Sequence, residues 1–481
     1  MSIGNGRSAV FDQGEHMENA KELIGQLDAI FTPRSVAIVG LPRGMKSGKL
    51  FLIALQEQGF PGHIYPVHPK AREIDGLETY PSVSAIPGPV DLAIILVPYQ
   101  SALSVVRECA AKGVKGAVLF TAGYKETGTE EGKALEKEIA GVARSSGMRI
   151  FGPNCMGLYC PSTGLSFFPE ISREPGPVGF ISHSGSLANI LARMAPQKGV
   201  RFSKAVSLGN ECDLTSADIM TYLGNDPETG LIGAYLENIK DGSYFLRALK
   251  KASEQKPVII WKVGLTPEGS RAASSHTGAL AGSREIWDSV VRQGRAIPVV
   301  GFEALVDALM GFSLLPADLG SRIAILSGPG GLAVGAAEAC GYAGLSLAEL
   351  SNETKSTLAG FVPPTGTSLR NPVDVGLSAS FDVEIYARAA RGLAADPGVD
   401  ALLVVGRGMS PELNEQYTKS MIQAGKDFHK PFVMVNIPGS DQEFARTFCR
   451  AGVPFFESAE KATAVYAMVR RYQRLRQKNA D

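Results

Sequence analysis

The chain has 481 residues, 44% of them hydrophobic, with 48 Lys plus Arg balanced by 48 Asp plus Glu. That length exceeds one typical domain and suits roughly three. The even charge balance excludes a global draw toward nucleic acid or an anionic membrane, and no stretch is long and apolar enough to be expected to span a bilayer.

Residues 1–26 are taken as an N-terminal extension; Met1 to Asn19 contain no apolar signal-peptide core, and the first ~20 residues read as weakly ordered. The six cysteines, Cys109, Cys155, Cys160, Cys212, Cys340 and Cys449, form no C-x-x-C pair and no zinc-like set. A cytoplasmic protein with reduced thiols, no metal site, no nucleic-acid partner and no membrane partner is expected.

From residue 27 onward, short apolar runs alternate with helical patterns. The runs begin with Ser35-Val-Ala-Ile-Val39, Leu92-Ala-Ile-Ile-Leu-Val97 and Gly116-Ala-Val-Leu-Phe120. Later ones start at Val178, Gly233, Pro257, Arg322, Ala401 and Phe432. Continuous apolar runs suit strands covered on both faces, and the alternation predicts an α/β chain with parallel sheets. Three units are predicted: 27–159, 160–315 and 316–481. The second and third open alike, with Val178-Gly-Phe-Ile-Ser-His-Ser-Gly-Ser186 and Ile323-Ala-Ile-Leu-Ser-Gly-Pro-Gly-Gly331, each a strand and turn leading into a helix.

In the first unit, Val36-Ala-Ile-Val-Gly40 runs through a turn with Gly44 and Gly48 into a helical stretch, Leu50 to Gln58. A strand, a glycine-containing turn and a helix N-terminus form an anion site from backbone N–H groups and the helix dipole. The spacing is not G-x-G-x-x-G. The second strand, His63-Ile-Tyr-Pro-Val67, ends in His68-Pro-Lys-Ala-Arg72. An NAD site usually has an acid there for the ribose. Basic residues, joined by Arg43, Lys46 and Lys49, suit a ligand with extra phosphate, and coenzyme A fits better than NAD. The alternative is a solvated basic rim on an ordinary strand–helix–strand unit.

The most distinctive stretch is Gly269-Ser-Arg-Ala-Ala-Ser-Ser-His-Thr-Gly-Ala-Leu-Ala-Gly-Ser283. It reads as a loop whose small side chains bring the His276 imidazole close to a phosphate. An imidazole can attack phosphorus and divide one hard step into two. The plainer alternative is a surface loop with an incidental histidine.

Leu27-Asp-Ala-Ile-Phe-Thr-Pro-Arg-Ser-Val-Ala-Ile-Val-Gly40, Tyr65-Pro-Val-His-Pro-Lys70, Gly152-Pro-Asn-Cys-Met-Gly157, Val206-Ser-Leu-Gly-Asn210, Tyr235-Leu-Glu237, the His276 segment and Asn371-Pro-Val-Asp374 occur in that order. With these motifs the chain resembles the α subunits of NDP-forming acyl-CoA synthetases, such as ADP-forming acetate–CoA ligases, and more distantly the succinyl-CoA synthetase α subunit. The resemblance implies a Rossmann-like CoA-binding domain followed by two flavodoxin-like domains. It also implies a reversible three-step reaction through acyl phosphate and phosphohistidine.

The resemblance carries the catalytic roles to His276 and Glu237, the acid orienting the imidazole. It places Ser184, Gly185, Gly330 and Gly331 at two helix N-termini facing the phosphoryl group. It carries coenzyme A to Gly40, Ser47, Val67, Pro69, Lys70, Val97, Pro98, Thr121 and Gly123, with Asn154 and Cys155 at the thioester site. Cys155 reads as a small lining residue rather than a nucleophile. His183 stands where family members more often have Gln or Arg; it reads as a phosphate contact, a polar turn residue, or the rival to His276 as phosphoryl acceptor. The family also needs an ATP-grasp module for ATP or ADP and Mg²⁺, so the resemblance implies a separate β subunit in an α2β2 assembly. The acyl group and the choice of ADP or GDP are not legible. The competing functional reading is a non-catalytic CoA-binding regulatory or scaffold protein.

Overall fold

The computed structural model describes residues 13–277, 282–439 and 442–477, with the side chains of residues 13–19 and 274–277 outside the described set. The strands are β1 (Ser35–Val39), β2 (His63–Val67), a hairpin of β3 (Glu73–Ile74) and β4 (Leu77–Glu78), β5 (Leu92–Ile95), β6 (Gly116–Leu119) and β7 (Arg149–Phe151). They continue with β8 (Gly157–Tyr159), β9 (Val178–Ser182), β10 (Phe202–Ser207), β11 (Leu231–Leu236), β12 (Val258–Lys262) and β13 (Ile297–Val299). The last six are β14 (Arg322–Ser327), β15 (Ser346–Leu347), β16 (Val373–Asp374), β17 (Ala401–Val405), β18 (Phe432–Val435) and β19 (Phe455–Phe456).

Beside the β3–β4 hairpin, the described residues form three larger sheets, ordered β2-β1-β5-β6-β7, then β10-β9-β11-β12-β13 with β8 outside β10, then β15-β14-β17-β18-β19 with β16 also on β14. Counted within each sheet, every order is 2-1-3-4-5. That is the flavodoxin-like winding, whose ligand crevice lies past the carboxyl ends of the first and third strands. The apolar runs became buried strands: every residue of β1, β5, β6, β9, β17 and β18 is buried.

The chain forms two compact units, one of residues 1–190 and 202–298, the other of residues 191–201 and 299–481. The first unit holds the first sheet and strands β8–β12 of the second. The sheets and the compact units thus divide the chain differently. At the end of the first predicted unit, β8 runs antiparallel to β10 in the second sheet.

Of the expected N-terminal extension, 1–26, residues 13–26 are helical and the residues before them lie outside the described set. A helix runs unbroken over Gln13–Phe31. Leu23, Leu27, Ile30 and Phe31 are buried on one face, at helical spacing. Phe31 stacks on Tyr222 at 5.2 Å, and the Tyr222 hydroxyl donates to Asp28 Oδ1 at 3.0 Å, fastening this helix to Ser216–Asn225. No helix among the described residues is long and apolar enough to cross a membrane. All six cysteines are free, and five are buried.

Candidate active site

The carboxyl edge of the first sheet gathers most of the residues assigned to coenzyme A. Val39 pairs with Val67 and with Ile95, and Ile95 with Leu119, so the next residues of each strand share one rim. Gly40 has φ +85°, and a Cβ there would lie 2.9 Å from Val97 Cγ1. Only glycine fits that close crossing in a left-handed conformation. The Gly40 N–H donates to Val67 O at 2.9 Å, and the Thr121 hydroxyl to Val97 O at 2.6 Å. Asn154 N–H then donates to Thr121 O at 3.1 Å. Gly40, Val67, Val97, Pro98, Thr121 and Asn154 thus sit together.

The other residues named in the first unit have surroundings of their own. Ser47 is exposed in the turn before helix Lys49–Gln58, whose N-cap, Gly48, supplies no side-chain cap. Lys49 does not join the basic rim; its side chain is buried and pairs with Asp75 at 2.5 Å. His68 is a turn cap, its Nδ1 accepting from the N–H groups of Lys70 and Ala71 at 3.1 and 3.0 Å. Pro69 and Lys70 ride exposed on that turn. The Gly123 N–H is already committed, donating to Glu126 Oε1 at 2.6 Å. Cys155 does not line open space: it is 3% exposed, its thiol faces Leu119 O at 3.6 Å, and burial pushes its pKa up to about 12. Burial of this kind disfavours the thiolate, the reactive form.

The 152–157 segment leads directly to the second sheet. A methyl at Gly185 would meet Met156 Cγ at 2.6 Å, and Met156 N–H donates to Ser207 Oγ at 3.0 Å. Gly209, at φ +54°, lies so close that a Cβ would fall 2.2 Å from Pro153 O and 2.3 Å from Asn154 O. Asn210 N–H donates to Pro153 O and Cys212 N–H to Gly152 O, at 2.9 and 2.8 Å. The loop assigned to the thioester therefore lies against the N-terminus of helix Gly185–Met194.

At that terminus Ser184 is the cap. Its Oγ accepts from Leu187 N–H at 3.3 Å, while Ser182 Oγ donates to Ser184 O at 2.7 Å. Glu237 follows β11 and is buried at 4% exposure. The Tyr235 hydroxyl hydrogen-bonds to it; burial first, then that carboxylate, raises the tyrosine well above its ordinary pKa. Lys262 Nζ donates to Glu237 O at 2.9 Å and to Val263 O at 2.5 Å. Burial lowers the Lys262 pKa to about 8, against an opposing pull from Glu237.

His183 is fully enclosed. Its Nδ1 accepts from the N–H groups of Glu237 and Asn238 at 3.1 and 3.5 Å, and its Nε2 meets Glu211 Oε1 at 3.1 Å. With both nitrogens occupied and no side-chain exposure, it is neither a phosphate contact nor a free nucleophile. Glu211 Oε1 also accepts from Ser216 N–H at 2.5 Å. Burial pushes the Glu211 carboxyl up, but His183, Lys240 and the Ser216 amide prevail and hold it below the ordinary range.

The expected loop around His276 is partly helical. Pro267–Thr277 is a helix with Pro at its first position and Glu268 in its first turn, both favourable there. It packs on the turn Lys125–Thr127. His276 lies in its last turn, with its side chain outside the described residues.

In the second unit, β14 leads into helix Gly330–Tyr342, where the N-cap Pro329 gives no side-chain cap. Ser327 Oγ donates to Pro329 O at 3.0 Å. Gly331 is open, but a methyl at Gly330 would lie 2.5 Å from Asp374 Oδ2. A carboxylate thus already stands beside one of the two glycines assigned to phosphate.

Residues 34–161 match the CoA binding domain family, and 175–312 the succinyl-CoA ligase like flavodoxin domain family. The chain is 38% identical over 454 residues to the acetate–CoA ligase [ADP-forming] II subunit alpha of Pyrococcus furiosus, covering 92% of this chain and 97% of that one. The chain belongs to the α-subunit family of ADP-forming acyl-CoA ligases. It is also 36% identical to the acetate–CoA ligase [ADP-forming] I of Archaeoglobus fulgidus, where the match spans 93% of this chain and 64% of that protein. The dinucleotide forming acetyl-coenzyme A synthetase 1 of Ca. Korarchaeum cryptofilum, solved with phosphate and ADP, superposes with a TM-score of 0.82 at 32% identity, covering 94% and 97% of the two chains.

Within this ligase family fold, sequence reasoning missed Met156, Glu211, Lys262 and a buried cluster around Asn210. The Asn210 Nδ2 donates to Glu126 Oε2 and Glu136 Oε2 at 2.5 and 2.9 Å, and Lys125 pairs with Glu136 at 3.3 Å. The signal for this cluster is the Val206-Ser-Leu-Gly-Asn210 motif. Its glycine and asparagine join the two sheets.

Proposed function

We propose that the chain is the α subunit of an NDP-forming acyl-CoA synthetase, interconverting acyl-CoA, phosphate and ADP with a carboxylic acid, CoA and ATP. A phosphate oxygen attacks the thioester carbonyl, the C–S bond breaks, and CoA leaves as thiolate, giving an acyl phosphate. The His276 imidazole attacks its phosphorus and the carboxylate departs. The phosphohistidine then passes its phosphoryl group to the terminal oxygen of ADP. The ATP or ADP and Mg²⁺ belong to a separate ATP-grasp β subunit, as α2β2.

The single observation that carries this reading is the junction in the first unit. There the Met156 loop, the helix N-terminus at Ser184 and Gly185, and the buried acid Glu237 meet at neighbouring sheet edges. Fixed N–H dipoles suit the charge of a phosphoryl group in flight. A buried carboxylate is costly to keep, and a protein that only binds CoA has no use for one here.

Alkaline phosphopeptide mapping tests the proposal, after exposure to acetyl phosphate or to ATP with the β subunit. An acid-labile phosphate is expected on the peptide containing His276, lost in His276→Ala. Stable CoA binding with no phosphorylation under either condition would instead favour the regulatory or scaffold role.

A further inference from the structure

The imidazole of His183 joins the two halves of this site. Its main chain is part of the Ser182-His-Ser-Gly185 turn that starts the phosphate-facing helix, and its N–H donates to Tyr235 O at 3.2 Å. Its side chain crosses to the end of β11. There the ladder stops at Leu236, and the amides of Glu237 and Asn238 donate to the ring instead. Amides only donate, so Nδ1 must present its lone pair to them, and the ring proton resides on Nε2, directed at Glu211. The Glu237 peptide is held on its other side by Lys262, which grips its carbonyl.

We infer that His183 is a positioning residue. As a neutral Nε2–H tautomer anchored by Glu211, it sets the Glu237 carboxylate in register with the phosphate-binding turn. Removing the ring takes its acceptor nitrogen from two buried amides and lets Glu237 shift relative to Ser184 and Gly185, without touching CoA or phosphate. Gln can replace both functions, its oxygen accepting from the Glu237 amide and its nitrogen donating to Glu211. This inference rests on the proposed ligase reading.

The test compares His183→Ala, His183→Gln and Glu237→Gln in the chain assayed with its ATP-grasp partner. Transition-state geometry lost by about 1 Å costs on the order of 100-fold, so His183→Ala should lower kcat about 10- to 100-fold with KM for CoA and phosphate within about threefold. His183→Gln should recover to within roughly fivefold of wild type. With ¹⁵N-histidine labelling, the His183 signal, identified by its loss in His183→Gln, should show a protonated Nε2 and a bare Nδ1.

A wild-type kcat in His183→Ala, or a His183→Gln that folds yet is as impaired as Ala, overturns the inference. So does a protonated Nδ1. If His183→Ala does not fold, Glu211→Gln with the same kcat and KM measurements and the tautomer assignment decide it. Full phosphorylation of Glu237→Gln would remove the role given to Glu237, whereas a wild-type chain that is never phosphorylated would sink the underlying ligase reading; both are read separately from the histidine variants.

Discussion

The turns after β9 and β14 are built on one plan and used differently. Ser182 and Ser327 each donate to the carbonyl two residues on. His183 N–H reaches Tyr235 O, and Gly328 N–H reaches Val405 O, at 3.2 and 3.3 Å. In this correspondence His183 answers to Gly328, Ser184 to Pro329 and Glu237 to Arg407. The first turn has a side-chain cap and sends an imidazole inward to brace an acid. The second has neither, and the space a side chain would need at Gly328 is filled by the Tyr386 hydroxyl, 2.0 Å from where a Cβ would sit. One backbone scaffold therefore supports a polar tie in one unit and an aromatic plug in the other. The shared strand order supplies the crevice, and the residue after the strand-end serine decides what occupies it.

The comparison is sharpened most by Glu237→Gln, since the second turn lacks the acid altogether. We expect phosphorylation of the chain to slow about 100-fold or more, measured as rapid-quench labelling from acetyl phosphate. Gly328→Ala probes the plug. Overpacking against a buried hydroxyl should cost about 1–3 kcal/mol, read as a lower midpoint in urea, and Tyr386→Phe should recover part of it.

Lys262 gives a pH signature to the first turn alone. Its pKa falls from 10.5 to about 8 on folding, so the unfolded chain binds more protons between those values. Stability should therefore rise from pH 8 toward pH 10.5, and the penalty is fully present below pH 8. Lys262→Met should flatten that rise in urea titrations run across the range. The smallest effect is expected for Ser184→Ala, which removes the Leu187 cap at a cost of about 1 kcal/mol. No substitution at Pro329 should mimic it, because that helix has no side-chain cap to lose.

Much of the architecture was legible because strands buried on both faces betray themselves as apolar runs. Strand β10, Phe202-Ser-Lys-Ala-Val-Ser207, escaped because Lys204 interrupts it. That lysine is buried only because Asp226 and Glu228 meet it at 2.9 and 2.7 Å. The N-terminal helix was missed although its apolar residues keep helical spacing; a polar start was given too much weight. The helix under His276 was hidden by its small, hydroxylated residues, which favour loops locally. The role of His183 was beyond reach from sequence, since its partners lie 28 and 54 residues away. Glu237 was found only because its motif travels with the family.

The crowding at Gly209 has a consequence for protein engineering. With two main-chain oxygens within 2.3 Å of any added side chain, the 152–157 and 206–212 segments behave as a single part contributed by two domains. A chimera that swaps in a foreign CoA-binding module should inherit both segments from the same parent; a cut between them would graft one half of a lock onto the other's key.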